Sequence, residues 1–170
     1  MNRVSLTGDQ MANALHMLGV NFIFGKAGAD SSLHKEPDQL IAALAGSQEA
    51  RLRLSLIPLF LEHPEFSSYV RRTAQDLGES ARLTLQCYYT AAFLLQRKYR
   101  ARLDLLIGKK QFLPDLFSKA LGIRITPDPG QDLSMLARRH QTLSGMKINW
   151  FGTYQHALQI WMRGLEIRKS

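Results

Sequence analysis

Apolar residues along this chain recur at three-to-four-residue spacing far more often than they alternate, and that period predicts helices. Met11, Ala14, Leu15 and Leu18 mark a short amphipathic helix from Gly8 that Gly19 can end. Val20 to Phe24 reads as a strand or extended run, and Gly25 to Leu33, with Gly25, Gly28, Asp30, Ser31 and Ser32, has loop composition. Pro37 suits the first turn of a helix through Ala45, with Gly46 behind it and Ser47 able to cap the next element. Ala50 to Leu56 alternates like a strand, but its neighbours favour a helix kinked near Pro58. His63-Pro64 restarts a helix carrying Phe66, Tyr69, Val70 and Leu77, closed by Gly78.

The longest pattern follows. Leu85, Tyr88, Ala92, Leu95, Tyr99, Leu103 and Leu106 predict one continuous helix from Glu79 to Ile107, about 43 Å at 1.5 Å per residue. Pro114 begins a short helix ended by Gly122, and Thr126-Pro127-Asp128-Pro129-Gly130 is a turn, after which Asp132 is the expected N-cap. Leu133, Leu136, Ala137, His140 and Leu143 form one stripe as far as Gly145. Trp150, Tyr154, Ala157, Leu158, Trp161 and Leu165 form the last. The expectation is an all-α, single-domain bundle of about seven helices, with one long central helix and a short N-terminal strand. It divides into a helix-strand appendage over 1–33 and a helical domain over 34–170.

Composition narrows the class. The chain has 170 residues, 45% of them hydrophobic and 21% charged, enough for one core without staples. One cysteine, Cys87, allows neither an internal disulfide nor a cysteine-based zinc site. Met1 leads into Asn2-Arg3-Val4-Ser5-Leu6 rather than an apolar signal core, and no run of about eighteen apolar residues occurs, so a soluble, cytoplasmic protein without membrane contact is expected. The net charge of +8 is uneven: residues 1–78 carry seven Lys/Arg against eight Asp/Glu, and residues 79–170 carry fifteen against six. An anionic partner would therefore meet the second half.

Candidate chemistry is sparse. Arg97, Lys98, Arg100, Arg102, Lys109 and Lys110 interleave with Tyr99, and with Arg138 and Arg139 they form a candidate nucleic-acid surface. The competing reading is a solvated face whose cations complement a helix C-terminus. Adjacent Arg139 and His140 suggest phosphate stabilisation and acid–base work in RNA cleavage. Helical nucleases of the higher-eukaryote and prokaryote nucleotide-binding kind instead separate Arg and His by four to six residues. The nearest approach here is Arg53 to His63, so a hydrogen-bonded, partly buried His140 is the alternative. His16, His34, His63, His140 and His156 are too scattered for a metal site, and Gly25-Lys26-Ala27-Gly28 lacks the remainder of a phosphate loop, so neither metal nor cofactor is expected. Trp150, Tyr154 and Trp161 beside Arg163 are the candidate partner-binding face, because aromatics and Arg anchor many interfaces.

Leu15-His16-Met17-Leu18-Gly19-Val20-Asn21-Phe22-Ile23-Phe24-Gly25 resembles the helix-to-strand entry of minimal nucleotidyltransferases. Those enzymes continue with Gly-Ser and an Asp-x-Asp that holds magnesium, and neither motif follows Gly25 here. Leu33-His34-Lys35, Arg51 through Leu59, Cys87-Tyr88-Tyr89-Thr90-Ala91-Ala92 and Ile148 through Tyr154 resemble a group of uncharacterised helical proteins of cyanobacteria and related bacteria. The resemblance implies a non-catalytic interaction module whose partner protein is a nucleotidyltransferase of a toxin–antitoxin-like pair. The alternatives are a basic nucleic-acid-binding subunit of a ribonucleoprotein, of the CRISPR small-subunit type, and a helical ribonuclease.

Overall fold

A computed structural model describes residues 6–22 and 32–169. Helix α1, Gly8–Met17, opens with a capping box in which Thr7 accepts from the Gln10 amide while the Gln10 side chain accepts from the Thr7 amide. It ends at Gly19, whose φ of +82° is the left-handed value glycine adopts freely. The Val20 amide then returns to the Leu15 carbonyl at 2.8 Å, and Val20 and Leu15 are both buried, as in a Schellman closure. Val20 to Phe22 therefore leaves a helix rather than entering a strand. The rest of the expected strand lies outside the described residues, among which no strand occurs.

Helix α2, Pro37–Ala45, starts on its proline, and α3, Ala50–Leu54, is separated from α4, Leu56–Glu62, by a break at Ser55. Pro58 explains the break: it cannot donate to the Leu54 carbonyl, and its ring crowds that oxygen. A 3-10 turn over Pro64–Phe66 leads into α5, Ser67–Asp76. Then come α6, Glu79–Lys98, and α7, Arg100–Ile107, with α8, Ser118–Leu121, α9, Pro129–Ser144, and α10, Trp150–Lys169, completing the described chain.

Two expectations are corrected. The central helix stops at Lys98, because Tyr99 leaves helical geometry at φ −112° and ψ 24°. At 20 residues, α6 is about 30 Å long. The turn lets α7 lie on α10, where the Tyr99 hydroxyl donates to Gln155 Oε1 at 3.0 Å and Arg102 pairs with Glu166. The leucine spacing runs through this bend unchanged, so the pattern carries no sign of it. The N-cap of α9 is Asp128, whose carboxylate accepts from the Gly130 and Gln131 amides, with Pro129 at the first helical position. Asp132 is buried instead and accepts from the Thr126 amide at 2.9 Å and hydroxyl at 2.7 Å.

Helix α6 is the axis of the core. Every residue from Cys87 to Gln96 is buried, sheathed chiefly by α9 and α4 and also by α2, α5 and α10. Such burial on all sides demands that its polar groups find internal partners. The Gln96 amide donates to the Gln111 carbonyl at 3.0 Å and its oxygen accepts from the Leu113 amide at 2.8 Å, while the Tyr89 hydroxyl donates to the Pro114 carbonyl at 2.7 Å. These bonds hold the 108–117 loop against the helix. Trp161 on α10 donates to Glu62 on α4 at 2.6 Å. Met11, Leu15 and Val20 join the same hydrophobic cluster as the rest, so α1 shares the common core.

Candidate functional site

A cleft of about 810 Å³ opens beside the first half of α6. One wall is the 45–48 turn after α2 together with Arg53 and Leu54 of α3. The second is α6 itself, through Glu79, Ser80, Ala81, Leu83, Thr84 and Tyr88. The third comes from His140, Leu143 and Ser144 at the end of α9, Met146 and Ile148 of the connecting loop, and Trp150 and Thr153 at the start of α10. Gly145, at φ +71°, ends α9 in the left-handed conformation and turns the chain back into that third wall.

Three rings, Tyr88, His140 and Trp150, line the floor, with Tyr154 buried beneath them. His140 stacks on Trp150 with centroids 3.5 Å apart, and Tyr88 meets His140, Trp150 and Tyr154 edge-on at 5.8, 6.5 and 6.1 Å. His140 Nδ1 lies 2.6 Å from the Tyr154 hydroxyl. Tyr154 is wholly buried, and this is its only partner among the described residues, so its O–H donates to Nδ1 and the imidazole carries its own proton on Nε2. Burial pulls the His140 pKa down from 6.5 to about 4, which keeps the ring neutral near pH 7. Burial pushes the Tyr88 phenol up to about 12 against the opposing charge of Arg53, and the Tyr154 phenol is raised further by the same cause.

The basic residues singled out in the sequence are elsewhere, and the three arginines among Arg97 to Arg102 are engaged within the fold. Arg97 lies over the Phe93 ring, donates to the Thr126 carbonyl at 3.3 Å and faces Asp132 at 3.8 Å. Arg100 pairs with Asp104 at 3.2 Å, donates to the Lys110 carbonyl at 2.7 Å and sits 4.0 Å above the Phe112 ring. Arg102 pairs with Glu166. Lys98 approaches the Tyr99 and Phe151 rings, while Lys109 and Lys110 follow Gly108 on a loop. Arg139 donates to the Leu121 carbonyl at 2.8 Å, leaving Arg138 exposed on α9. None of these residues lines the cleft.

The proposed partner-binding aromatics are also corrected. Trp150, Tyr154 and Trp161 are buried, and of the four only Arg163 is exposed. Their spacing puts them on the apolar stripe of α10, and that stripe is the one a bundle covers. Among the described residues no group of three His, Cys, Asp or Glu side chains could hold a metal ion. The sequence leads to a hydrogen-bonded, partly buried His140; the side chain is hydrogen-bonded and more deeply buried than that, at 3% exposure. The sequence reading missed Arg53, which stands in the alternating Arg51-Leu52-Arg53-Leu54, and it assigned Tyr88 to the core stripe alone. Only the tertiary fold, which seats α3 across the cleft from α6 and α9, brings these two to one cleft. Comparison of the chain with protein-family models, with curated proteins and with solved structures gave no match.

Proposed function

We propose that this chain is a non-catalytic helical binding module that holds its ligand in the cleft between α3, α6 and the α9–α10 corner. The observation behind this reading is a concave site of ligand size, within the roughly 300–1,000 Å³ usual for such pockets, whose walls mix apolar side chains with polar and charged ones. Leu143, Met146 and Ile148 at its edge keep large apolar surfaces in water, a pattern that marks binding sites more often than inert surface. A general acid or base works best with a pKa near the operating pH, and His140, at about 4 with Nδ1 occupied by Tyr154, is far from that. Cys87 is buried, with its thiol pushed up to about 12.

The toxin–antitoxin-like pairing with a nucleotidyltransferase rests on the sequence resemblance and names a protein to titrate against the purified chain. The cleft itself is tested with 8-anilinonaphthalene-1-sulfonate, an apolar anion that accepts energy from nearby tryptophan. The folded protein is expected to bind it with quenching of Trp150, which lines the cleft. Ala81→Phe, which fills the space, and Leu143→Asp, which places a charge on its wall, are each expected to weaken binding at least about tenfold with helical circular dichroism unchanged. Probe binding that both substitutions leave intact would reject the cleft as the site.

A further inference from the structure

Two side chains in the cleft are almost wholly buried and yet have a polar atom that the fold does not use. His140 is 3% exposed and Tyr88 is 4% exposed. His140 spends Nδ1 on Tyr154, and its Nε2 makes no hydrogen bond among the described residues. The Tyr88 hydroxyl makes no hydrogen bond there either, and both residues line the cleft. Arg53 completes the set. Its guanidinium is held by one hydrogen bond from Nη1 to the Ser47 carbonyl at 2.8 Å, and none of the ion pairs of the described chain involves it. Its charge reaches Tyr88. The one carboxylate on the cleft wall, Glu79, lies in the first turn of α6, where the helix dipole favours it, and does not pair with Arg53.

All three groups can donate, and two of them, His140 Nε2–H and Arg53, can only donate. They come from α9, α6 and α3 and line one cleft together with Leu54, Leu83 and Trp150. Resting on the reading of the cleft as a ligand site, we propose that His140 Nε2–H, the Tyr88 hydroxyl and the Arg53 guanidinium bind the carboxylate of a small amphipathic monocarboxylic acid. The acid's apolar body lies against the leucines and the edge of Trp150. Donors of this kind form charge-assisted bonds with a carboxylate, whereas an ammonium group would find only the Tyr88 oxygen to accept from it and would face the Arg53 charge.

The test is calorimetric titration of the intact chain with decanoate, decan-1-ol and decylamine near pH 7. Decanoate is expected to bind about tenfold or more tightly than decanol, and decylamine more weakly than either. Arg53→Gln and Tyr88→Phe should each weaken decanoate about three- to tenfold and leave decanol unchanged, which a merely structural role would not produce. Equal affinity for decanoate and decanol, or variants that weaken both alike, overturns the carboxylate assignment while binding of the sulfonate probe keeps the cleft reading in place. Failure of every ligand, the sulfonate included, removes both. A short apolar peptide with a free C-terminus, compared with its amide, separates a small acid from a protein chain end. Carboxylate-dependent binding of that peptide without binding of decanoate overturns the small-molecule assignment.

Discussion

His140 lies flat on Trp150, with ring centroids 3.5 Å apart and planes 14° from parallel. The stack joins α9 to α10 across the corner that forms the third cleft wall, and it fixes the plane in which the His140 Nε2 proton is offered. The orientation within that plane comes from Tyr154.

Tyr154→Phe removes the hydroxyl that donates to His140 Nδ1 and leaves that nitrogen buried without a partner. The expected cost is about 1–3 kcal/mol in urea unfolding, because a buried acceptor loses its bond and gains no water. A loss indistinguishable from zero would mean that the pair adds nothing to the fold.

Acid should weaken the protein through His140. Its folded pKa of about 4 lies below the ordinary 6.5, so between these values the unfolded chain binds a proton that the folded chain refuses. At pH 7 and above both states are neutral and the group contributes nothing. Stability falls as the pH drops from about 6.5 to about 4, by on the order of 3 kcal/mol in all. Glu62, raised by burial, acts in the opposite sense, because its folded form takes up a proton more readily than the unfolded chain does. The slope of unfolding free energy against pH should therefore be compared between wild type and His140→Gln, and identical slopes over pH 4–6.5 would refute the assignment.

The two aspartates at the start of α9 should behave differently. Asp128→Ala removes an N-cap, at a typical cost of about 1 kcal/mol. Asp132→Ala strips the acceptor from the Thr126 amide and hydroxyl and leaves Arg97 facing no charge, so about 3 kcal/mol or more is expected. Thermal unfolding of both variants decides it, and a larger loss for Asp128→Ala would contradict the structure.

Helix positions were legible where spacing and terminators agreed. Gly19, Pro37, Gly78, Gly122 and Gly145 bound helices as their chemistry requires, and Pro58 breaks the chain one turn before itself. The bend at Tyr99 was not legible, since Leu95, Tyr99 and Leu103 keep the helical period on both sides of it. Asp132 was misread as a cap because an aspartate near a helix start looks the same whether it faces the amides or a neighbouring helix. Arg97, Arg100 and Arg102 suggested a polyanion surface because a run of cations does not reveal that Asp132, Asp104 and Glu166 answer it.

The local pattern alone therefore determined that this chain is helical, where most helices start and stop, and which faces are apolar, since these follow from the 3.6-residue period and from glycine and proline backbones. Tertiary structure decided which polar groups are answered inside the fold and which are left for a ligand. Arg53, Tyr88 and His140 are separated by 35 and 52 residues, and no local rule links them. Only the tertiary arrangement that sets α3 across from α6 and α9 places them on one cleft, where the His140 Nε2 and the Tyr88 hydroxyl make no hydrogen bond among the described residues.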